Sequence, residues 1–250
     1  MIFDAVRLAV FTGEFGCGKS EIAVNAAVDA AKDGRAIALL DLDVVKAHFR
    51  SRQAADAVRA AGVDMVAPVG DLAQFELPAI NPRVPGLLRD HDARVIVDIG
   101  GSTDGLRVFR SLGDYIPDGD GQLYLVVNPY RPYSRTPQQI RESYFRIIEA
   151  AVRDSAVLVS NPHLGAQTDR DIVARGHNLV LEAARDLRSP IAALCVRRDI
   201  AGEIGEDVSL GTPIYPIDLY LRTPWERNRM NAEGSDVGEA QDQRRTVQGL

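Results

Sequence analysis

The sequence predicts an α/β fold in three layers, in which a mostly parallel sheet carries helices on both faces. Short apolar runs alternate along the chain with segments of helical pattern. The runs are apolar at nearly every position, which is typical of parallel strands that are buried on both faces. The length of 250 residues suits one large domain of this kind.

The composition excludes several classes of protein. Hydrophobic residues make up 46% and charged residues 26%, which excludes disorder of the whole chain. With only two cysteines, Cys17 and Cys195, a disulfide scaffold is excluded and a metal site built from cysteines is disfavoured. The net charge of −6 disfavours nucleic acid as the main partner. Because no apolar run approaches the roughly 18 residues that cross a bilayer, we expect a cytoplasmic protein with no membrane partner.

The first elements follow from local composition. Residues 8–13 form an apolar run that ends on glycine and predicts a buried strand. The alanine-rich residues 20–32 predict a helix, and Gly34 follows as its C-cap. Residues 36–43 are a second apolar run, closed by carboxylates, and predict a second strand.

The same alternation continues to residue 196. It predicts helices at 53–61, 136–153 and 169–187 and strands at 63–66, 94–99, 123–127, 156–159 and 191–196. Residues 72–85 carry three prolines and are predicted to be irregular, and residues 205–224 are predicted to cap one edge of the sheet. We expect one domain over residues 1–230 and a polar, disordered tail over residues 231–250.

Residues 13–20, here called the phosphate loop, match the pattern G-x-x-x-x-G-K-[ST] between a predicted strand and a predicted helix. Gly13, Gly16 and Gly18 let the backbone wrap around an anion with its N–H groups pointing inward. Lys19 is predicted to reach the β and γ phosphates of a nucleotide, and the Ser20 hydroxyl to bind Mg²⁺. The predicted nucleotide-binding set also includes the neighbouring residues Glu14, Phe15, Cys17 and Glu21.

A carboxylate follows each of two predicted strands. Asp98 ends the strand at 94–98 and is predicted to bind Mg²⁺, while the N–H of Gly101 can bind a γ phosphate; the alternative is that Asp98 only caps the next helix. Asp41 and Asp43 lie on one side of the second strand. We favour Asp43 for orienting water or holding a water bound to the metal, against the alternative that either is a helix cap or a solvated carboxylate.

In this order the motifs resemble the CobQ/CobB/MinD/ParA nucleotide-binding domain family of P-loop NTPases, which share a class with the signal-recognition GTPases. Residues 41–43 and Asn128-Pro-Tyr-Arg-Pro132 are similar to those of a bacterial ATP-binding subgroup. The motifs cover about residues 6–165. The resemblance implies a mostly parallel sheet, MgATP as ligand and, in many members, a homodimer that encloses the nucleotide.

The resemblance also implies roles for single residues. Lys19 and Asp43 would act in hydrolysis, and Asn161 would lie against the base. A guanine-specific Asn-Lys-x-Asp motif is absent, because Pro162 and Leu164 stand where its lysine and aspartate would be. ATP is therefore the expected nucleotide.

One position departs from the resemblance. Many ParA-type and MinD-type members have a lysine that reaches the partner's phosphate at the position where this chain has Glu14. Lys46, Arg50 or Arg52 are candidates to replace that charge, although the usual role of such residues is a solvated loop charge. Activation between subunits by that lysine cannot operate here, and slow turnover is expected.

Three functions are compatible with these residues. The first is a Mg²⁺-dependent ATPase switch that controls a protein partner, with metalloenzyme or cofactor maturation as one setting. The second is an ATP-dependent ligase or phosphotransferase that holds a small acidic substrate with Lys46, Arg50 or residues 130–135. The third is a nucleotide-binding module without hydrolysis. In each, oxidation of Cys17 would block the loop if the loop lowered the pKa of its thiol.

Overall fold

A computed structural model describes residues 2–42, 51–67, 80–117, 119–151 and 153–221. These residues form one sheet of eight strands, all paired in parallel, in the order β3-β2-β4-β1-β5-β6-β7-β8. The strands are β1 Leu8–Thr12, β2 Ile37–Asp41, β3 Asp64–Val66, β4 Arg94–Asp98, β5 Gln122–Val127, β6 Val157–Ser160, β7 Ile191–Arg197 and β8 Ile214–Ile217. The helices are α1 Lys19–Ala31, α2 Ser51–Ala60, α3 Val84–Arg89, α4 Thr103–Ser111, α5 Pro137–Ala151, α6 Arg170–Leu187 and α7 Glu206–Ser209.

Helices cover both faces of the sheet, which confirms the predicted three-layer α/β fold. In β1, Leu8 and Val10 pack in the core beneath α3, α4 and α5, whereas Ala9 and Phe11 pack in the opposite core beneath α1 and α2. All five β1 residues are buried. Burial on both faces explains why the four residues from Leu8 to Phe11 are all apolar and why the sequence shows a continuous apolar run here.

The strand order brings the functional motifs to one edge of the sheet. Strand β1 lies between β4 and β5, and β4 lies between β1 and β2. Phe11 pairs in register with Asp98, and Asp98 pairs in register with Asp41. Since all of these strands are parallel, the segments that follow them meet at the same carboxyl edge, where ligands of open α/β sheets bind.

Two parts of the fold differ from the sequence prediction. Residues 214–217, predicted as part of an irregular cap, form the edge strand β8 beside β7. Pro216 is compatible with this strand because an edge strand has one side without ladder hydrogen bonds. The prediction gave no bounds for helices α3 and α4.

Some predictions concern residues that the description does not include. The predicted tail at 231–250 and most of the irregular segment at 72–85 lie outside the described residues, so both stay predictions. Among the helices of the described residues, none combines the length and the apolar character that crossing a bilayer demands.

Candidate functional site

The phosphate loop joins β1 to α1 and depends on glycine at two points. Gly13 and Gly18 have φ angles of +152° and +94°. A Cβ at Gly13 would overlap the carbonyl oxygen of Val126, and one at Gly18 would overlap the side-chain nitrogen of Asn161. Only glycine allows both the backbone angle and the close approach, so the geometry explains the spacing of the motif.

The charged groups of the site are buried together at the start of α1. Nζ of Lys19 lies 3.5 Å from Oδ1 of Asp98 and donates a hydrogen bond of 3.3 Å to Oγ of Ser20. All three residues are less than 9% exposed. Within the described part of the chain, Oδ1 of Asp98 has no hydrogen-bond partner. The cluster therefore holds a lysine, a hydroxyl and an incompletely satisfied carboxylate where the loop meets the sheet.

Asp41 lies in the same place as this cluster. It ends β2, is 8% exposed, and lines a pocket together with Ser20 and Asp98. Asp43, which the sequence favoured over Asp41, lies outside the described residues, as do Lys46 and Arg50. The role of Asp43 stays a prediction. Asp41 is a functional candidate that the sequence analysis ranked second to Asp43.

The oxygen groups that line this pocket fit a magnesium ion. Mg²⁺ in phosphate-binding sites takes one or two protein ligands and completes its shell with water and phosphate oxygens. The Ser20 hydroxyl and the Asp98 carboxylate suit this pattern, and the unsatisfied Oδ1 of Asp98 has capacity for a ligand or for water bound to the metal. Over the described ranges, no three His, Cys, Asp or Glu side chains cluster as an all-protein metal cage would require. When bound, the ion would neutralise charge on the phosphates.

The segment after β4 touches the phosphate loop. A Cβ at Gly101 would overlap the carbonyl oxygen of Gly13, and its position lies 3.3 Å from the backbone nitrogen of Glu14. The next helix, α4, is capped by Ser102, whose Oγ accepts a hydrogen bond of 3.3 Å from the nitrogen of Gly105. The cap is therefore not Asp98, and the alternative role for that carboxylate is wrong.

Asn161 supports the loop from the end of β6. Its Nδ2 donates a hydrogen bond of 2.7 Å to the carbonyl oxygen of Cys17, and the residue is 2% exposed. The structure thus shows Asn161 fixing the loop backbone. Contact with a nucleotide base stays a prediction.

Cys17 does not have the activated thiol that an anion-binding loop can produce. Burial raises its pKa to about 11, an effect that outweighs the opposing influence of the Lys19 charge. The thiol is therefore neutral at physiological pH. The condition for an oxidation switch at this residue is not met, and Cys17 serves as a small buried residue of the loop.

The amino-terminal part of the loop is held by a distant helix. The carboxylate of Glu14 forms an ion pair with Arg146 of α5 and accepts a hydrogen bond of 2.7 Å from Oγ of Ser143. Arg146 also donates a hydrogen bond of 3.1 Å to the carbonyl oxygen of Gly101. The position that departs from the resemblance is thus paired within the same chain.

Two other predicted nucleotide contacts have different surroundings. The carboxylate of Glu21 accepts hydrogen bonds from the backbone nitrogens of Tyr220, at 2.6 Å, and Leu221, at 3.2 Å, so its side chain holds the segment after β8. Phe15, within the loop, is 66% exposed. The nucleotide-binding role of both side chains stays a prediction.

Residues 130–135, which the ligase hypothesis uses, make structural contacts. The Tyr130 hydroxyl donates a hydrogen bond of 2.6 Å to the carbonyl oxygen of Ile172. Nε of Arg131 donates one of 3.0 Å to the carbonyl oxygen of Gly16. Arg131 and Arg146 are the loop-supporting residues that the sequence analysis missed, because they are far from the loop in sequence. For Arg131 the signal was the likeness of residues 128–132 to the subgroup motif.

The partly buried His163 lies beside the phosphate loop. A Cβ at Gly18 would lie 3.5 Å from Nε2 of His163. The residue is held by Asn128, which donates a hydrogen bond of 3.0 Å to its carbonyl oxygen. Burial, together with the charges of Arg131 and Arg197, lowers the pKa of His163 to about 4. The ring is therefore neutral at pH 7 and adds no charge to the site.

Comparisons with known proteins gave distant similarities to solved structures. The sequence matches no protein-family model and no curated protein. The structure is similar to the cell division protein FtsY of Thermotoga maritima, with 17% identity and a TM-score of 0.49 over 74% of this chain and 59% of that chain. It is also similar to the 54 kDa signal recognition particle protein of Aeropyrum pernix in complex with GDP, with 16% identity and a TM-score of 0.47 over 74% and 40%.

A third similar structure is a nucleotide-binding protein of Archaeoglobus fulgidus in complex with ADP, with 18% identity and a TM-score of 0.42 over 74% of this chain and 79% of that one. The chain spans 40% and 59% of the length of the two signal-recognition proteins. With its parallel sheet, its phosphate loop between β1 and α1 and its carboxylate at the end of β4, the chain has the three-layer α/β fold of a P-loop NTPase. The CobQ/CobB/MinD/ParA subgroup is not confirmed, because no family model matches the sequence.

Proposed function

We propose that the chain is a Mg²⁺-dependent switch that binds and hydrolyses ATP and thereby controls a protein partner. The observation that carries the proposal is the buried cluster of Lys19, Ser20 and Asp98 at the end of a glycine-built loop. Buried charges with incomplete hydrogen bonding are costly. A triphosphate with its metal would complete the bonding of this cluster, which is a reason for the chain to retain it.

ATP is the proposed nucleotide on the evidence of the segment after β6. Asn161 is followed by Pro162, and Leu164 stands where a guanine-reading carboxylate would be. Leu164 has no polar side chain with which to bind the exocyclic amine of guanine. GTP is the competing candidate, because the signal-recognition protein of Aeropyrum pernix is in complex with GDP.

A protein partner is proposed from the surface beside the loop. Phe15 and Tyr133 are 66% and 71% exposed. Large aromatic side chains exposed next to a functional site are typical of protein contacts. The partner is unidentified and can be a second copy of the chain or a metalloenzyme in maturation. Membership of the CobQ/CobB/MinD/ParA group, with hydrolysis assisted by Asp43, belongs to the same proposal.

Phosphate release tests the proposal. The wild-type chain is expected to release phosphate slowly from MgATP, more slowly or not at all from MgGTP, and not at all when EDTA removes the metal. Lys19→Ala is expected to lose the activity. Equal rates for the wild type and Lys19→Ala would contradict the proposal.

Capture of a partner tests the switch. Asp43→Ala is expected to bind ATP without hydrolysing it, so it should retain a partner in the presence of MgATP and release it with ADP. Retention that is the same with ATP, with ADP and without nucleotide would contradict a switch. It would favour a binding module that has no regulated output.

A further inference from the structure

The ion pair between Glu14 and Arg146 lies at the point where the loop and the segment after β4 meet. The Arg146 guanidinium binds the Glu14 carboxylate and the carbonyl oxygen of Gly101, the latter at 3.1 Å. Gly101 is itself packed against the backbone of Gly13 and Glu14. One side chain from α5 therefore connects the two backbone segments between which a terminal phosphate is expected.

The expected position of the terminal phosphate follows from the proposed function, on which this inference rests. In that function Lys19 would approach the phosphates from the buried side, and the N–H of the glycine after the β4 carboxylate would contact the γ phosphate. Arg146 is anchored on the carbonyl of that same glycine, Gly101. Its side chain is 43% exposed, so the surrounding residues leave the guanidinium room to change its orientation.

Arg146 has two possible anionic partners, the Glu14 carboxylate and the terminal phosphate of a bound nucleotide. Without Arg146, the Glu14 carboxylate would place a negative charge next to a triphosphate of the same sign. With Arg146, that charge is neutralised, and Ser143 donates a further hydrogen bond of 2.7 Å to it. A planar guanidinium binds phosphate as well as carboxylate in a bidentate manner. Bound ATP would thus compete with Glu14 for the same donor.

We propose that Arg146 is a catalytic residue that acts within its own chain, stabilising the terminal phosphate in the transition state, and that Glu14 holds it away from the phosphate until then. In the reaction, the oxygen of a water molecule bonds to the γ phosphorus while the bond from that phosphorus to the bridging oxygen of ADP breaks. The proton of the water leaves with the phosphate or to solvent. Arg146 forms no covalent bond and balances the charge on the equatorial oxygens.

Hydrolysis by Arg146→Ala, Arg146→Lys and Arg141→Ala tests the proposal. Arg141 is the matched control, because it lies on the same helix and pairs with the Asp186 carboxylate rather than with Glu14. For Arg146→Ala we expect kcat to fall at least ~10-fold with a change of less than about 3-fold in the affinity for MgATP, since cis-acting arginines contribute mainly in the transition state. Arg146→Lys should retain part of the rate, and Arg141→Ala all of it.

Added guanidinium ion separates a catalytic role from a structural one. At millimolar concentrations below those that affect folding, it should restore part of the kcat of Arg146→Ala and none of that of Lys19→Ala. A normal kcat for Arg146→Ala would overturn the proposal. So would a lowered kcat that the ion does not raise and that is matched by a lower melting temperature, because the arginine would then be a structural support.

Glu14→Gln tests the restraining role. With the competing charge removed, kcat is expected to rise about 3- to 10-fold, because a partly exposed ion pair is only a weak restraint. In the Arg146→Ala background the same change should have no effect on kcat. An equal rise in both backgrounds would overturn the proposal, because Glu14 would then act independently of Arg146.

The same measurements distinguish this inference from the proposed function. Failure of the wild type to bind MgATP overturns both. Binding without detectable hydrolysis, in the wild type and in Glu14→Gln alike, overturns the role of Arg146 and leaves nucleotide binding in place. Hydrolysis at the same rate in the wild type and in Arg146→Ala overturns the inference alone.

Discussion

The two ends of the phosphate loop differ in how the fold holds them. At the carboxyl-terminal end, Lys19 and Ser20 are 6% and 8% exposed and lie on the first turn of a helix packed against the sheet. At the amino-terminal end, Phe15 is 66% exposed, and Glu14 is held by side chains of α5, more than 120 residues away. The buried end is suited to binding the nucleotide, whereas at the other end the proposed movement of Arg146 from Glu14 to the terminal phosphate would control hydrolysis.

The largest effect is expected at the buried end. Lys19→Ala removes the cation that should hold the β and γ phosphates, so the affinity for MgATP should fall by ~100-fold or more, equivalent to about 3 kcal/mol. Titration with a fluorescent ATP analogue measures it. Lys32→Ala, an exposed lysine at the end of the same helix, is the control and should bind normally. An unchanged affinity in Lys19→Ala would show that the buried cluster is structural only.

The next largest effect is expected from a substitution in the backbone of the phosphate loop, at Gly18. In Gly18→Ala, a Cβ would be forced into a left-handed conformation and onto the side chain of Asn161. We expect a loss of about 2–3 kcal/mol in the free energy of unfolding, together with weaker nucleotide binding. Denaturant unfolding measures the first. Gly86→Ala, at a helical glycine with open space around it, is the control and should be stabilising by about 0.5–1 kcal/mol.

His163, beside the phosphate loop, should make the free energy of unfolding depend on pH. In the folded chain the pKa of His163 is about 4, so its ring stays neutral at pH values at which the histidine of the unfolded chain is already protonated. Stability should therefore fall as the pH drops from about 6.5 towards 4, by up to about 3 kcal/mol. Burial also lowers the pKa of His177, which adds to the same loss.

Two histidine variants separate this contribution from general acid unfolding. His163→Gln should flatten the acid side of the stability profile, and His91→Gln, at an exposed histidine, should leave it as in the wild type. Urea unfolding at a series of pH values provides the profile. Identical profiles for the wild type and His163→Gln would contradict the assignment.

The smallest effect is expected from the support beneath the loop. Asn161→Ala removes the hydrogen bond to the carbonyl oxygen of Cys17 and leaves that buried oxygen with one partner fewer. A cost of about 1–2 kcal/mol in unfolding free energy follows, with a small loss of nucleotide affinity. Asn178→Ala, on the exposed side of α6, is the control. If Asn161→Ala lost nucleotide binding altogether at full stability, direct base contact would be the better explanation.

The comparison also shows what a sequence can predict. The continuous apolar runs predicted the parallel strands, and the glycine spacing predicted the buried end of the loop, because both depend on residues close together in the chain. Arg146 could not be predicted, since its position beside Glu14 depends on how α5 packs against the sheet. Strand β8 was missed because a proline within four residues weakens the strand pattern.

Two alternatives raised for single residues are wrong for related reasons. Oxidation of Cys17 required the loop to lower the pKa of its thiol, but burial has the larger effect and raises that pKa, and burial depends on the tertiary structure. Asp98 had the helix-cap role as an alternative, yet Ser102 performs it. In both cases the local pattern was compatible with two environments, and only the packing distinguished them.

A crystal structure of the chain with Mg²⁺ and a non-hydrolysable ATP analogue tests the central claim most directly. We predict the triphosphate within residues 13–20, the Lys19 ammonium moved from the Asp98 carboxylate to the β and γ phosphates, and the metal beside Ser20. A loop without nucleotide, in which Lys19 remains on Asp98 at saturating analogue, would contradict the account.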